Sequence, residues 1–222
     1  PMRPCILPGA PLGPQYSPRE LDRYDGGLMA QGPSSELMNE RFDLSRAALD
    51  AFSARSHERA HAATRAGKFR DQMVPITADP DDPTGPVIDS DEGIREHIDP
   101  AKMASLKAVF GADGRTTAAN SSQISDGAAA LLIADREYAE RNGLIPRARF
   151  RALSVAAADP IIQFTAILDA AHKALGRSGL AVEEIDLFEV NEAFAGVPLI
   201  FQREFGVPDD KLNVNGGSVA LG

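Results

Sequence analysis

Three groups of residues in this chain have side chains and spacings suited to chemistry. The first is Asn191-Glu192, which follows the apolar stretch 185–190 and precedes a run containing Val197, Leu199, Ile200 and Phe201. The stretch reads as a short buried strand and the run as a helix. Both polar side chains then sit where a strand's carboxyl end turns into a helix, the crevice where α/β sheets bind ligands. An amide there either caps the helix or serves a site, where it can donate and accept without carrying charge. The second group, His57-Glu58-Arg59-Ala60-His61, fits H-E-x-x-H, in which two His on one helical face hold zinc and Glu acts as base. Against a metal, both His fall away from the helix's apolar stripe onto a solvated face. Arg59 and Arg65 add positive charge, and Thr64 occupies the position of the Gly in the extended pattern. The third group is the polar segment 116–126, where Asn120, Ser121, Ser122 and Ser125 offer short hydrogen-bonding groups; in loops such groups commonly satisfy their own backbone. Cys5, the only cysteine, stands in a Pro-rich segment with no His or basic helix start nearby, and is not read as a nucleophile.

The elements that must position these groups follow from period and punctuation. Residues 1–33 read as loop, because Pro4, Pro8, Pro11, Pro14, Pro18 and Pro33 interrupt helix and central strand alike; the segment is either a linker or an arm lying on a partner subunit. A short helix is expected over 35–41, and a long one from its cap Ser45 to about Gly67. Ala48, Leu49, Phe52, Ser56, Ala60 and Ala63 form its packing stripe, and the small residues of its second half imply a close neighbour there. The basic group Arg55, Arg59, Arg65, Lys68 and Arg70 near its exit is either a solvated surface or a phosphate-facing patch. Residues 72–76 and 87–88 read as strands joined by an Asp/Pro/Gly turn. Asp99-Pro100 starts a helix running to about Val109. Residues 127–134 read as a fully buried strand, and Asp135 caps a helix ending near Gly143. From Arg147 the pattern is β-α-β-α-β: strands over 148–155, 187–190 and 212–214, helices over 165–176 and 193–205.

Composition narrows the function. The 222 residues are 43% hydrophobic and 25% charged, ordinary for a globular protein. No apolar run approaches the roughly 18 residues that a membrane-spanning helix needs, and no signal peptide is visible. A single cysteine excludes an internal disulfide framework and fits a reducing, cytoplasmic setting. The formal net charge of −9 argues against nucleic acid as the main partner, but leaves room for a phosphate-bearing ligand, which reads the local field. The Gly pair at 216–217 does not fit G-x-G-x-x-G, so a dinucleotide fold is not indicated.

Four ordered blocks carry a resemblance: Phe52-Ser53-Ala54-Arg55-Ser56-His57; Thr117 through Gly127; Asn191-Glu192-Ala193-Phe194; and Asn213-Val214-Asn215-Gly216-Gly217. Together they resemble the thiolase family. The resemblance implies a layered α-β-α-β-α fold with an inserted loop domain, only partly covered here. Residues 1–98 would form the cofactor lid, 99–143 the end of the first thiolase half and 144–222 the start of the second. It further implies cleavage of a 3-ketoacyl-CoA by coenzyme A, or the reverse condensation. Coenzyme A is then a substrate and no cofactor is permanently bound. Homodimers or tetramers are implied, with no nucleic-acid partner.

By the same resemblance, Asn191 holds a water that donates to the developing oxyanion, and Ala193 and Phe194 border the thioester. Arg95 approaches the adenine nucleotide and Phe110 lines the pantetheine tunnel. Ser122 hydrogen-bonds the pantetheine arm, with Ala118 beside it. The family's nucleophilic Cys would lie upstream of residue 1, its His directly after Gly222, and its second Cys farther on. Four departures bear on specificity and cofactor contact: Ala119 for a usual Gly, no Gly-Pro pair within 164–169, Lys102 where a Ser often contacts the nucleotide, and Ser218 for a usual Ala. Two other readings stand beside this one: a thiolase-like lipid-binding or scaffold subunit without catalysis, and a zinc hydrolase using His57, Glu58 and His61.

Overall fold

The computed structural model describes residues 17–24 and 27–222; Cys5 and most of the Pro-rich leader fall outside them. Its axis is the 20-residue helix α3 (Arg46–Arg65), numbered after α1 (Pro18–Arg23) and α2 (Gln31–Arg41). Ser45 caps α3 as expected, its side chain accepting from Ala48 N–H, and Leu49, Phe52, Ser53, Ser56, His57, Ala60 and Ala63 are buried along one face. Small residues are required where the Gly pair crosses. A Cβ on Gly216 would lie 2.6 Å from Ser56 O and 2.7 Å from the Ala60 Cβ, at φ +82°. No L-residue with a side chain fits that approach and that backbone together.

The leader departs from its expected loop character. Pro18 occupies the first turn of α1, where its missing N–H is not needed, and Ser17 with Glu20 forms a complete capping box. In α2, Pro33 likewise sits in the first turn, so the helix begins four residues before the expected 35–41. The helix after Asp99, α4 (Pro100–Ser105), is shorter than expected. Val109 N–H turns to Thr116 O at 3.0 Å, drawing 107–115 into a loop. Arg46 fastens α4 to α3, its guanidinium donating to Met103 O at 2.5 Å and Leu106 O at 3.2 Å.

Two further helices, α6 (Ala166–Ser178) and α7 (Gly196–Phe205), follow α5 (Arg136–Arg141), and α8 (Ser218–Leu221) ends the chain. Asp135 caps α5 as expected. Helices α4, α7 and α8 pack on α3, and α2 and α6 pack on α7. One apolar cluster joins α2, α3 and α7: Met38, Leu44, Leu49, Phe52, Phe194, Ile200, Phe201 and Leu212, with Ile167, Leu168 and Ala171 of α6 against it. Burial of these side chains is the dominant favourable contribution to folding. Among the described residues, no helix is long and apolar enough to cross a membrane.

The expected strands are realised least. A two-residue antiparallel pair, β1 (Ile76–Thr77) with β2 (Val87–Ile88), forms the anticipated hairpin, but 72–75 are not part of it. Segments 127–134 and 148–155 form no ladder, and their apolar side chains are exposed: Leu131, Leu132, Ile133, Phe150, Leu153 and Val155. A strand exists only through a neighbour that takes its N–H and C=O groups, and no described segment forms a backbone ladder with either; 151–155 is met instead by side-chain bonds with α6, among them Ser154 Oγ to Ala170 O at 2.7 Å. Segments 187–190 and 212–214 meet in a single parallel bridge, Phe188 to Leu212. The turn after it is tied by Asn213, whose side chain accepts from Val190 N–H and donates to Val190 O, both at 2.8 Å.

Candidate functional site

The junction 191–195 is irregular backbone rather than a helix start. Helix α7 begins at Gly196, three residues too late for Glu192 to cap it and four too late for Asn191, and its own N-cap, Ala195, has no side-chain bond. Capping is therefore not the role of either residue. Glu192 is fully buried and accepts from Ser56 Oγ at 2.6 Å, Asn213 Nδ2 at 2.8 Å and Val219 N–H at 3.1 Å. Ser56 also accepts from Gly217 N–H at 3.1 Å. A Cβ on Gly217 would collide with the Glu192 carboxyl, so the second glycine is what admits the carboxylate. A buried carboxylate with three donors is a strut: it fixes α3, the Gly-Gly turn and the junction relative to one another.

On that strut stands Asn191, whose side chain is turned outward. Its Oδ1 accepts from Ser218 Oγ at 2.8 Å, and its Nδ2 has no protein partner among the described residues. The polar segment 116–123 closes the other side. Ser122 N–H donates to Ala193 O at 3.0 Å, and Ala195 N–H to Asn120 O at 2.9 Å. Asn120 is buried, tied by its Nδ2 to Asp50 at 2.9 Å and Arg115 O at 3.0 Å. Gln123 Nε2 reaches Ala220 O at 2.7 Å and Gly93 O at 3.1 Å. This loop is rigid because its side chains satisfy neighbouring backbone, as its composition suggests.

Between these walls lies an open cleft of about 1080 Å³. It brings together six of the seven residues singled out in the sequence: Phe110, Ala118, Ser122, Asn191, Ala193 and Phe194. Phe194 receives Phe110 edge-on at 6.3 Å and Phe164 at 5.4 Å, an arrangement that aromatic quadrupoles favour. Gly32 of α2 lies directly against the Phe110 ring. Arg95 is placed elsewhere, in a second pocket of about 350 Å³ that also holds His57, His97, Asp99 and Lys102. Ala118 and Gln123 line both, so the two share a wall. The result is an apolar cleft with an amide and a hydroxyl on its wall, beside a pocket lined by two cationic side chains, Arg95 and Lys102. An anionic head group with a narrow, amide-containing arm suits that layout.

His57 is a correction. It does not lie on a solvated face but is 7% exposed, with Nδ1 accepting from Arg95 N–H at 3.1 Å. Burial, and next the Arg95 charge, hold its pKa below the usual histidine value. The neutral ring is thus a backbone clamp for Arg95. His61 Nε2 is 3.9 Å from Glu96, and among the described residues no three His, Cys, Asp or Glu side chains group to hold a metal. The basic group on α3 also has other work. Arg59 donates to Leu212 O and Asp209 O, both at 2.7 Å, and Lys68 to Asn215 at 3.1 Å.

Two cleft residues, Gln123 and Gln163, are given no role by sequence reasoning. Gln123 stands inside the block Thr117 through Gly127 that carries the family resemblance, which is the available signal. Gln163 had none, because what distinguishes it is a backbone φ of +61°.

Residues 21–137 match the family described as thiolase, N-terminal domain, and residues 144–222 match thiolase, C-terminal domain. Among curated proteins, the 3-ketoacyl-CoA thiolase of Vibrio cholerae is 42% identical over 200 residues, covering 88% of this chain and 51% of that protein. The 3-ketoacyl-CoA thiolase of Bacillus subtilis is 39% identical over 202 residues, covering 87% and 52%. The steroid 3-ketoacyl-CoA thiolase FadA6 of Mycobacterium tuberculosis is 42% identical over 202 residues, covering 91% and 48%. Of solved structures, the Bacillus anthracis acetyl-CoA acetyltransferase superposes with TM-score 0.83 at 38% identity, over 87% of this chain and 49% of that one. Human mitochondrial 3-ketoacyl-CoA thiolase gives 0.81 at 34% identity, over 86% and 48%. The chain spans about half the length of the curated relatives it matches.

Proposed function

The chain belongs to the thiolase family and has its α/β fold, and on that premise we propose that the full-length protein is an acyltransferase acting on 3-ketoacyl-CoA. Coenzyme A cleaves the substrate to acetyl-CoA and a shortened acyl-CoA, or the reaction runs in reverse as a condensation. The observation that carries this reading is the convergence of Asn191, Ser122, Phe110 and Phe194 on one cleft that shares a wall with the Arg95 pocket.

The residues divide the work as follows. Arg95 and Lys102 receive the phosphorylated nucleotide, with His57 holding the Arg95 backbone. Phe110, Ala118 and Ser122 guide the pantetheine arm. Ala193 and Phe194 border the thioester. Asn191 keeps Oδ1 engaged with Ser218, so its Nδ2 donates to a water, and that water donates to the oxyanion as the thioester carbonyl is attacked. Fixed donors aimed at developing charge are commonly the largest catalytic contribution. The nucleophile and its base come from sequence outside these 222 residues.

Residues 1–98 act as the lid over the cofactor, 99–143 close the first half, and the second begins at 144. The working assembly is a homodimer or tetramer in the cytoplasm. The test is mass spectrometry of the full-length protein incubated with a 3-ketoacyl-CoA and coenzyme A. Acetyl-CoA and an acyl-CoA two carbons shorter are expected; substrate left intact at high enzyme concentration would leave the catalytically silent scaffold as the better reading.

A further inference from the structure

Gln163 offers the cleft a side-chain acceptor that no described residue uses. The residue adopts φ +61°, a region that long side chains rarely enter, and it is held there. Its backbone N–H donates to Asp159 O at 2.9 Å. Its Nε2 donates to Met29 O at 2.8 Å and to Ser34 Oγ at 3.0 Å, while Ser34 Oγ itself donates to Ile161 O at 2.7 Å. A backbone carbonyl can only accept, so the NH₂ of the Gln163 amide must be the group at Met29. That fixes Oε1 on the opposite side.

Among the described residues Oε1 accepts no hydrogen bond. Nor is it sealed from solvent, since the sealed side-chain atoms without partners are Asn39 Oδ1 and Arg55 Nε. Gln163 lines the large cleft together with Phe110 and Phe194, on a wall that the Arg95 pocket does not share. The cleft therefore carries one immobilised acceptor on an aromatic wall, outside the cationic pocket.

We infer that Gln163 Oε1 selects acyl thioesters whose chain bears a hydroxyl group; this rests on the reading of the cleft as an acyl-CoA site. A plain hydrocarbon chain laid against Oε1 would strip its water and return nothing, which is unfavourable. A hydroxyl would replace the lost bond. The 3-oxo group and the thioester carbonyl only accept, so neither can satisfy Oε1. The remaining donors on such a substrate belong to coenzyme A itself, chiefly the amides and the hydroxyl of its pantetheine arm, which every CoA thioester shares. Selection among acyl chains and contact with the common arm are thus distinguishable by experiment.

The experiment compares kcat/KM of the full-length protein on 3-ketoacyl-CoA thioesters of equal length, unsubstituted or hydroxylated at successive acyl carbons. Wild type is expected to favour at least one hydroxylated thioester by about ten-fold or more, because a site with a fixed partner for a hydroxyl rejects the analogue lacking it. Gln163→Met is expected to bring that ratio close to one, chiefly by improving turnover of the unsubstituted chain. Gln163→Gly, which suits positive φ, should give the same collapse and stands in if the Met variant melts early. No preference in wild type, or a preference that survives in both variants, overturns the inference. So does an equal loss on every thioester with a raised KM for coenzyme A, which would place Oε1 on the pantetheine arm. Should wild type turn over no 3-ketoacyl-CoA at all, the proposed function fails. Calorimetric binding of the paired acyl-CoAs then reads the same ratio: a retained hydroxyl preference that Gln163→Met abolishes supports the inference, and equal affinities overturn it.

Discussion

Ser218 Oγ donates to Asn191 Oδ1 at 2.8 Å, linking the first residue of α8 to the amide that stands at the mouth of the cleft. The bond decides which end of the amide remains available. With Oδ1 engaged, Nδ2 is the donor presented to water. Removing the hydroxyl leaves the amide free to rotate. In the full-length protein, Ser218→Ala is expected to lower kcat by about five-fold, the effect of one net hydrogen bond, with KM little changed. Ser218→Thr should restore most of the rate. Steady-state kinetics on the three proteins, with melting temperatures as a control, checks this.

The Glu192 strut governs stability. Its carboxylate takes three donors in a fully buried setting. Glu192→Gln would turn an NH₂ group toward at least one of those donors. The loss is expected to be about 3 kcal/mol, as for a broken buried charged network, read by urea denaturation. A stability within experimental error of wild type would show that the three bonds do not act together.

Close approach of the Gly-Gly turn to α3 gives a sharper test. Gly216→Ala would set a methyl 2.6 Å from Ser56 O at φ +82°. Strain at the backbone and overlap with the helix both oppose it. A loss of about 2–4 kcal/mol is expected on that basis, whereas Gly143→Ala, where φ is also positive but nothing lies near the built Cβ, should cost about 1 kcal/mol. The difference between the two melting curves isolates the packing contribution from the backbone one.

Stability should also fall with acid in a window that His57 sets. Burial first, and the Arg95 charge second, hold the folded pKa of His57 below 6.5. The unfolded chain therefore binds the proton more readily. This contribution to stability is complete above about pH 6.5 and is lost as pH falls from there through the depressed folded value. His57→Asn keeps an acceptor for Arg95 N–H and cannot titrate, so its stability should decline less over that range. Glu189 works in the opposite direction. Its pKa is raised by burial and by the neighbouring Glu192 charge, so it lowers stability as pH rises through its own window above the usual carboxylate value. The wild-type-minus-variant difference cancels Glu189 and leaves His57.

What the sequence disclosed and what it hid divide along one physical line. Local signals survived: the Ser45 and Asp135 caps, the small-residue face of α3 and the Asp/Pro/Gly hairpin all depend on near neighbours in the chain. The loop 116–126 is legible from composition, and the family resemblance of its block points to Ala118 and Ser122, which line the cleft. Strands were read over 127–134 and 148–155 from apolar runs, but a run of apolar residues says nothing about whether a partner strand stands beside it. Helix α7 starts three residues later than composition suggests, because Ala193 O accepts from Ser122 N–H and Ala195 N–H donates to Asn120 O instead of joining a helical ladder. The burial of His57 is hidden because a buried imidazole with a backbone partner is invisible to hydrophobic period. The positive φ of Gln163 leaves no trace in composition at all.

The central claim is that Asn191 supplies, through a bound water, a donor to the oxyanion of a CoA thioester. Its most direct test is the kcat of full-length wild type against Asn191→Ala, with a saturating 3-ketoacyl-CoA and coenzyme A. The account predicts a fall of about 100-fold, the scale of one lost oxyanion-hole donor, with the melting temperature and the affinity for coenzyme A unchanged. An Asn191→Ala protein that turns over at the wild-type rate would contradict it.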